Sequence, residues 1–149
     1  MFKIAHRGNI NGPNPYLENK PEYILQCLNE GYNAEVDVRV IQDEIYLGHD
    51  KPEYKISFDF LKNENLWCHC KNIEALKILL LNNIRCFFHD TDEATLTSDG
   101  YIWTYPGKHL TSLSICVMPE NAGWNVPNNI SGICSDYICL LYTSDAADE

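Results

Sequence analysis

Hydrophobic positions fall in short runs along this chain, and almost every run ends in a polar cluster. Phe2-Lys3-Ile4-Ala5 reads as a strand that ends at His6-Arg7-Gly8. A polar loop follows, with Gly12 and Pro13 as breakers. From Pro21 to Asn29 the period becomes helical: Tyr23, Ile24, Cys27 and Leu28 share a face, and Gly31 marks the stop. Between Ala34 and Val40 the period is two. Ala34, Val36, Val38 and Val40 point one way, and Glu35, Asp37 and Arg39 point the other. Gln42-Asp43-Glu44 predicts a turn, and Ile45 to His49 a returning strand.

The same rhythm continues. Leu66 to Cys70 predicts a strand ending at Lys71, and Ile73 to Leu81 an amphipathic helix. Further strands are expected at Arg85–Phe88, Tyr101–Thr104, Ser114–Met118 and Gly132–Cys134. They end in His89-Asp90, Tyr105-Pro106-Gly107, Pro119-Glu120 and Ser135-Asp136-Tyr137. Strand, polar cluster, helix or loop, strand is the order of an α/β protein with a mainly parallel sheet. Ionisable residues gathered after strands match where (β/α) barrels place their active sites. A full barrel takes about 250 residues, and this chain has 149. The expected fold is therefore a reduced or truncated TIM-type barrel, with helices in its first half and little more than loops between later strands.

Composition narrows the function. The net charge is -10 and no basic stripe is present, which argues against nucleic acid as a partner. An acidic protein that handles an anionic ligand needs local positive charge, from a metal or a few Arg and Lys. No run of eighteen apolar residues occurs, so no transmembrane segment is expected. With a candidate catalytic His already at position 6, no signal peptide is expected either. The seven cysteines lie mostly inside apolar runs such as Ile115-Cys116-Val117, which predicts buried, reduced thiols and a cytoplasmic protein. Cys68-His69-Cys70 does not read as a zinc motif, because strand alternation turns both sulfurs away from the His.

The candidate chemistry lies near the N-terminus. His6-Arg7-Gly8, Glu35-Val36-Asp37 and Gly48-His49-Asp50 supply two histidines, two carboxylates on one strand face and a guanidinium. That inventory suits opening a phosphodiester with a divalent ion and an acid/base pair. "AHRGN", "EVDVRV" and "LGHD", in this order and spacing, resemble the glycerophosphodiester phosphodiesterase family, which is related to phosphatidylinositol-specific phospholipase C. "GICSDY" at 132–137 is a weaker echo of that family's last strand.

The resemblance implies hydrolysis of a small glycerophosphodiester to glycerol 3-phosphate and an alcohol. It makes His6 and His49 the acid and base, Arg7 and Lys71 phosphate contacts, and Glu35 and Asp37 ligands for Mg²⁺ or Ca²⁺. Two alternatives stand beside it: a phospholipase D-like lyase forming a cyclic phosphate, and a non-catalytic barrel that binds phosphorylated ligands. One position departs from the family pattern. Two residues before Lys71, where a metal-binding Glu is usual, stands His69. His69 is then a metal ligand that favours Mn²⁺ or Zn²⁺, a substrate contact, or a core histidine. His89, Asp90, Asp92, Trp103, Tyr105, Lys108 and Glu120 follow later strands and could line a pocket mouth, and His109 is expected to face solvent.

Residues 139–149, Cys-Leu-Leu-Tyr-Thr-Ser-Asp-Ala-Ala-Asp-Glu, resemble the translation of a transposase adapter used in sequencing libraries. The expected organisation is one phosphodiesterase-like domain over 1–138 and a non-native tail over 139–149.

Overall fold

A computed structural model describes residues 1–123 and 125–140. Most of the expected tail, from 141 onward, lies outside the described residues. Ten strands form one sheet that curls into a half-barrel. In chain order they are β1 (Phe2–His6), β2 (Asn33–Ile41), β3 (Glu44–Leu47), β4 (Tyr54–Ile56) and β5 (Leu66–Cys70). Then come β6 (Cys86–Phe87), β7 (Ala94–Leu96), β8 (Ile102–Thr104), β9 (Ser114–Val117) and β10 (Gly132–Ser135).

Pairing is parallel from β6 through β5, β2, β1, β10 and β9 to β8. The antiparallel pairs are β2 with β3, β3 with β4, and β7 with β8. The β2–β3 hairpin turns on Gln42 and Asp43, both with positive φ, as a two-residue turn matching strand twist requires. The mainly parallel α/β expectation holds. The helices of a complete barrel are not present among the described residues: later strands connect through loops and a short 3-10 turn at Pro119–Asn121.

Helices back the first half of the sheet. Helix α1 (Pro21–Asn29) starts with Pro at its first position, where the missing N–H costs nothing. Helix α2 (Ile73–Leu81) is capped by Asn72, whose Oδ1 accepts from Ala75 N at 3.0 Å. The same side chain donates to Val40 O at 3.0 Å, so the cap also fastens α2 to β2. Both helices match the expected ranges. The predicted strand Arg85–Phe88 shrinks to two residues, and β4 and β7 were not anticipated.

Alternation sorts the side chains into two layers. Ala5, Ala34, Val36, Val38, Cys68, Cys70, Cys86 and Ile133 pack on the helix side with Ile24, Cys27, Ala75 and Leu79. Ile4, Trp67, Phe87, Trp103, Ile115, Val117 and Cys134 fill the concave side. There Phe87 stacks on Trp103 at 4.5 Å, and Trp67 lies 5.8 Å from Trp103. These rings make the floor on which the next layer of inward residues stands. That next layer is polar.

Candidate functional site

Moving one inward position toward the carboxyl ends of the strands leads from Ile4 to His6, from Trp67 to His69 and from Phe87 to His89. Glu35 and Asp37 enter from β2, Tyr105 follows β8 and Asp136 follows β10. A cavity of about 180 Å³ opens here, lined among others by His6, Arg7, Glu35, Asp37, His49 and His69. The aromatic and apolar side of the same cavity is His89, Trp103, Tyr105, Pro106, Val117 and Met118.

The turn after β1 carries much of the geometry. Arg7 has φ 54 and Gly8 φ 88, and Asn9 N donates back to His6 O at 2.9 Å. Positive φ at both central positions defines a type I′ turn, which only Gly takes without cost. A Cβ on Gly8 would also meet Ile24 and Tyr23 side-chain carbons at 2.9 Å. In this conformation Arg7 N donates to Glu35 Oε1 at 3.1 Å. The Arg7 guanidinium donates to Glu18 Oε1 at 3.1 Å and brings its Nε within 3.3 Å of Asp37 Oδ2.

His6 is oriented from behind. Its Nδ1 lies 2.8 Å from Asp136 Oδ1, and its Nε2 lies 4.0 Å from Glu35 Oε1. Asn9 donates to Asp136 at 2.9 Å and to Glu18 at 3.0 Å, and Tyr23 OH donates to Asn9 Oδ1 at 3.0 Å. Burial pushes the imidazole toward neutrality, but Asp136 and Glu35 outweigh it and raise its pKa above the usual His range. Asp37 is gripped twice by Asn19, which donates to Oδ2 at 2.8 Å and accepts from Asp37 N at 2.9 Å.

Glu35, Asp37 and His69 offer ligand atoms that all lie within 4.8 Å of one another. His69 Nδ1 is 3.4 Å from Asp37 Oδ1 and 3.6 Å from Glu35 Oε2, and its ring stacks on Phe87 at 4.8 Å. Burial opposes the charge on Glu35, yet His69, His6 and Arg7 hold its carboxyl well below the usual range. Burial, with Glu35 beside it, pushes Asp37 the other way. One carboxylate thus suppresses the other, as expected for a close acidic pair.

The buried polar atoms without a hydrogen-bond partner are informative. Among the described residues they are Arg7 Nε, Asp37 Oδ1, His69 Nε2, His89 Nδ1 and Tyr105 OH. All five residues line this one cavity. Stranding such a group costs about 1–3 kcal/mol, so their convergence marks a place prepared for a polar guest. Two larger clefts, of about 500 and 320 Å³, contain none of these atoms.

His6, Arg7, Glu35, Asp37, His49 and His69 therefore meet around one cavity, with Glu35 and Asp37 coming from within β2, His69 from within β5 and the others from strand ends. His49 is the outlying member: its ring is 40% exposed and its Nδ1 lies 2.7 Å from Asp50 Oδ1. Its loop is fixed by Arg39, which donates to the carbonyls of Gly48 and His49. A Cβ on Gly48 would lie 2.0 Å from Lys51 O, so no other residue fits there. Lys71 follows β5 but does not line the cavity. Its charge reaches His89, whose pKa burial lowers first, with His69 and Lys71 adding to the effect.

His89, Trp103 and Tyr105 do reach the cavity, whereas Asp90, Asp92 and Lys108 are exposed and Glu120 is engaged by Ser135 Oγ at 2.8 Å. Asp136, Glu18, Asn9 and Asn19 were not singled out from the sequence as site residues. Only Asp136 carried a signal, its place directly after the last strand.

No family model, curated protein or solved structure matches this chain. No helix among the described residues is long and apolar enough to cross a membrane.

Proposed function

We propose that the chain is a metal-dependent phosphodiester hydrolase acting on small glycerophosphodiesters, built on a reduced TIM-type barrel. The carrying observation is the set of five unpartnered buried polar atoms around one cavity that also holds the Glu35–Asp37–His69 cluster. A bound divalent ion at that cluster would neutralise charge on the phosphate oxygens and accept the idle Asp37 oxygen.

The chain's own residues do the rest. Asp136 fixes the His6 ring and leaves Nε2 toward Glu35 and the cavity, so His6 can exchange a proton with the nucleophile or the leaving oxygen. His49 supplies the second imidazole from its loop. Arg7 Nε, Tyr105 OH and His89 Nδ1 are the atoms that a phosphodiester's oxygens would satisfy. Lys71 contributes positive potential that reaches His89. A cavity of about 180 Å³ is below the roughly 300–1,000 Å³ of sites for drug-sized ligands, which favours a compact head group over a whole lipid.

The exposed position of His49 supports a second reading, a barrel that binds phosphorylated ligands without turnover. Hydrolysis of bis-p-nitrophenyl phosphate with Mg²⁺, Ca²⁺, Mn²⁺ and Zn²⁺, in the natural chain and in His6→Ala and Glu35→Ala, separates the two. Equal rates in all three proteins would reject the catalytic reading. With a glycerophosphodiester as substrate, phosphorus NMR should show glycerol 3-phosphate; a persistent cyclic phosphate would point to the lyase instead.

A further inference from the structure

The cluster's donor set carries a statement about which ion it holds, resting on the reading of this cluster as a metal centre. We infer that Glu35, Asp37 and His69 form a centre for a transition ion, Zn²⁺ or Mn²⁺, in preference to Mg²⁺ or Ca²⁺.

Three features of the site support this. The first is ligand type. Two carboxylates and one imidazole converge, and an imidazole nitrogen suits transition ions while hard ions take oxygen. Ca²⁺ takes six to eight oxygens, and the cluster offers two carboxylate groups.

The second is charge. Hard ions are held largely by the negative charge around them, and here that charge is already shared. Arg7 Nε lies 3.3 Å from Asp37 Oδ2, Asn19 donates to the same oxygen at 2.8 Å, and Arg7 N donates to Glu35 Oε1 at 3.1 Å. What remains free is Asp37 Oδ1, unpartnered on a residue 1% exposed, and Glu35 Oε2, each within 3.6 Å of His69 Nδ1. One oxygen from each carboxylate plus one nitrogen gives three protein ligands, which leaves the other positions to the cavity. That is the pattern of an open transition-metal site.

The third is rigidity. His69 stacks on Phe87 at 4.8 Å and is 9% exposed, so the nitrogen is held in place and not swung in from solvent. Asn19 and Arg7 hold the two carboxylates by their other oxygens. This is the outer support that orients ligands around a metal.

The test is equilibrium dialysis of the full chain against an equimolar mixture of Mg²⁺, Ca²⁺, Mn²⁺ and Zn²⁺, with bound metal counted by elemental analysis. About one equivalent of Mn²⁺ plus Zn²⁺ is expected, with Mg²⁺ and Ca²⁺ at least about tenfold lower. Asp37→Asn should lose that equivalent. Retention of the ion by Asp37→Asn would assign it to surface histidines or thiols and overturn the inference. His69→Glu should shift the ratio toward Mg²⁺ and Ca²⁺ by at least about tenfold. His69→Asn, closer in size, keeps the experiment decisive should the added carboxylate prevent folding, and it should abolish the transition-ion preference.

Mg²⁺ or Ca²⁺ bound by the natural chain as strongly as Mn²⁺ and Zn²⁺, or a ratio unmoved by either His69 variant, overturns the inference. No substrate enters this measurement. A protein that holds Zn²⁺ or Mn²⁺ yet turns over no phosphodiester would sink the hydrolase reading alone, and turnover supported by Mg²⁺ in a protein that ignores Zn²⁺ and Mn²⁺ would sink the metal preference alone.

Discussion

Arg7 and Arg85 stand at opposite ends of the concave face, and the contrast between them separates scaffold from site. Arg85 precedes β6 at the floor. Its Nε reaches Asp99 Oδ2 at 2.6 Å, its Nη1 donates to Glu64 O at 3.2 Å, and its plane lies 4.0 Å over the Trp67 ring. Its charge, two of its nitrogens and its planar face are all engaged. Arg7 follows β1 at the rim. One donor reaches Glu18, but its Nε is buried, close to Asp37 and badly aimed for a hydrogen bond. A backbone with positive φ holds it there. A saturated arginine is a packing element, whereas an arginine left short of partners is set aside for something else.

Substitutions at the two ends should therefore fail in different ways. At the rim, His6→Ala should cut bis-p-nitrophenyl phosphate turnover by about 10²–10⁴-fold, with unfolding showing a stability loss of no more than about 1–3 kcal/mol. A large drop in stability on removing His6 would erase the distinction. At the floor, Trp67→Ala should cost about 3–5 kcal/mol in denaturant unfolding, while the folded fraction still binds its metal.

Asp136→Asn should weaken the orientation of His6 and lower turnover by about 10–100-fold, leaving metal occupancy unchanged. Arg85→Met should destabilise by about 1–3 kcal/mol and leave turnover per folded molecule alone. If turnover falls with Arg85→Met as steeply as with Asp136→Asn, the two ends are coupled and the separation is lost.

How much of this was legible beforehand depended on periodicity. In β2 and β5 the alternation is long and regular enough to assign faces. Glu35 and Asp37 could therefore be placed on one face, opposite the valines, and His69 opposite its two flanking cysteines, before any coordinates. The strand-end rule marked His6 and His49 as site residues and left His89 and Tyr105 among several candidates for the pocket mouth. Strands of two or three residues such as β6 and β7 carry no period to read, and one was drawn too long while the other went unseen.

The supporting residues were hidden for a different reason. Glu18 and Asn19 lie in a loop without alternation, and their value comes from contacts across the fold: Asn19 reaches Asp37 from a backbone with φ 66. Lys71 was placed by analogy with a pattern, and its side chain is not among those that line the cavity.

The thiols of the helix-backed face give the molecule a built-in clock. Cys27, Cys68, Cys70 and Cys86 all sit in the layer between helices and sheet. Burial pushes the Cys27 thiol up to about 12, so little thiolate forms while it stays covered. An alkylating reagent can reach them only when α1 or α2 lifts away or the chain unfolds. Labelling rates read cysteine by cysteine would time the opening of each helix against the sheet, without adding a probe to the protein.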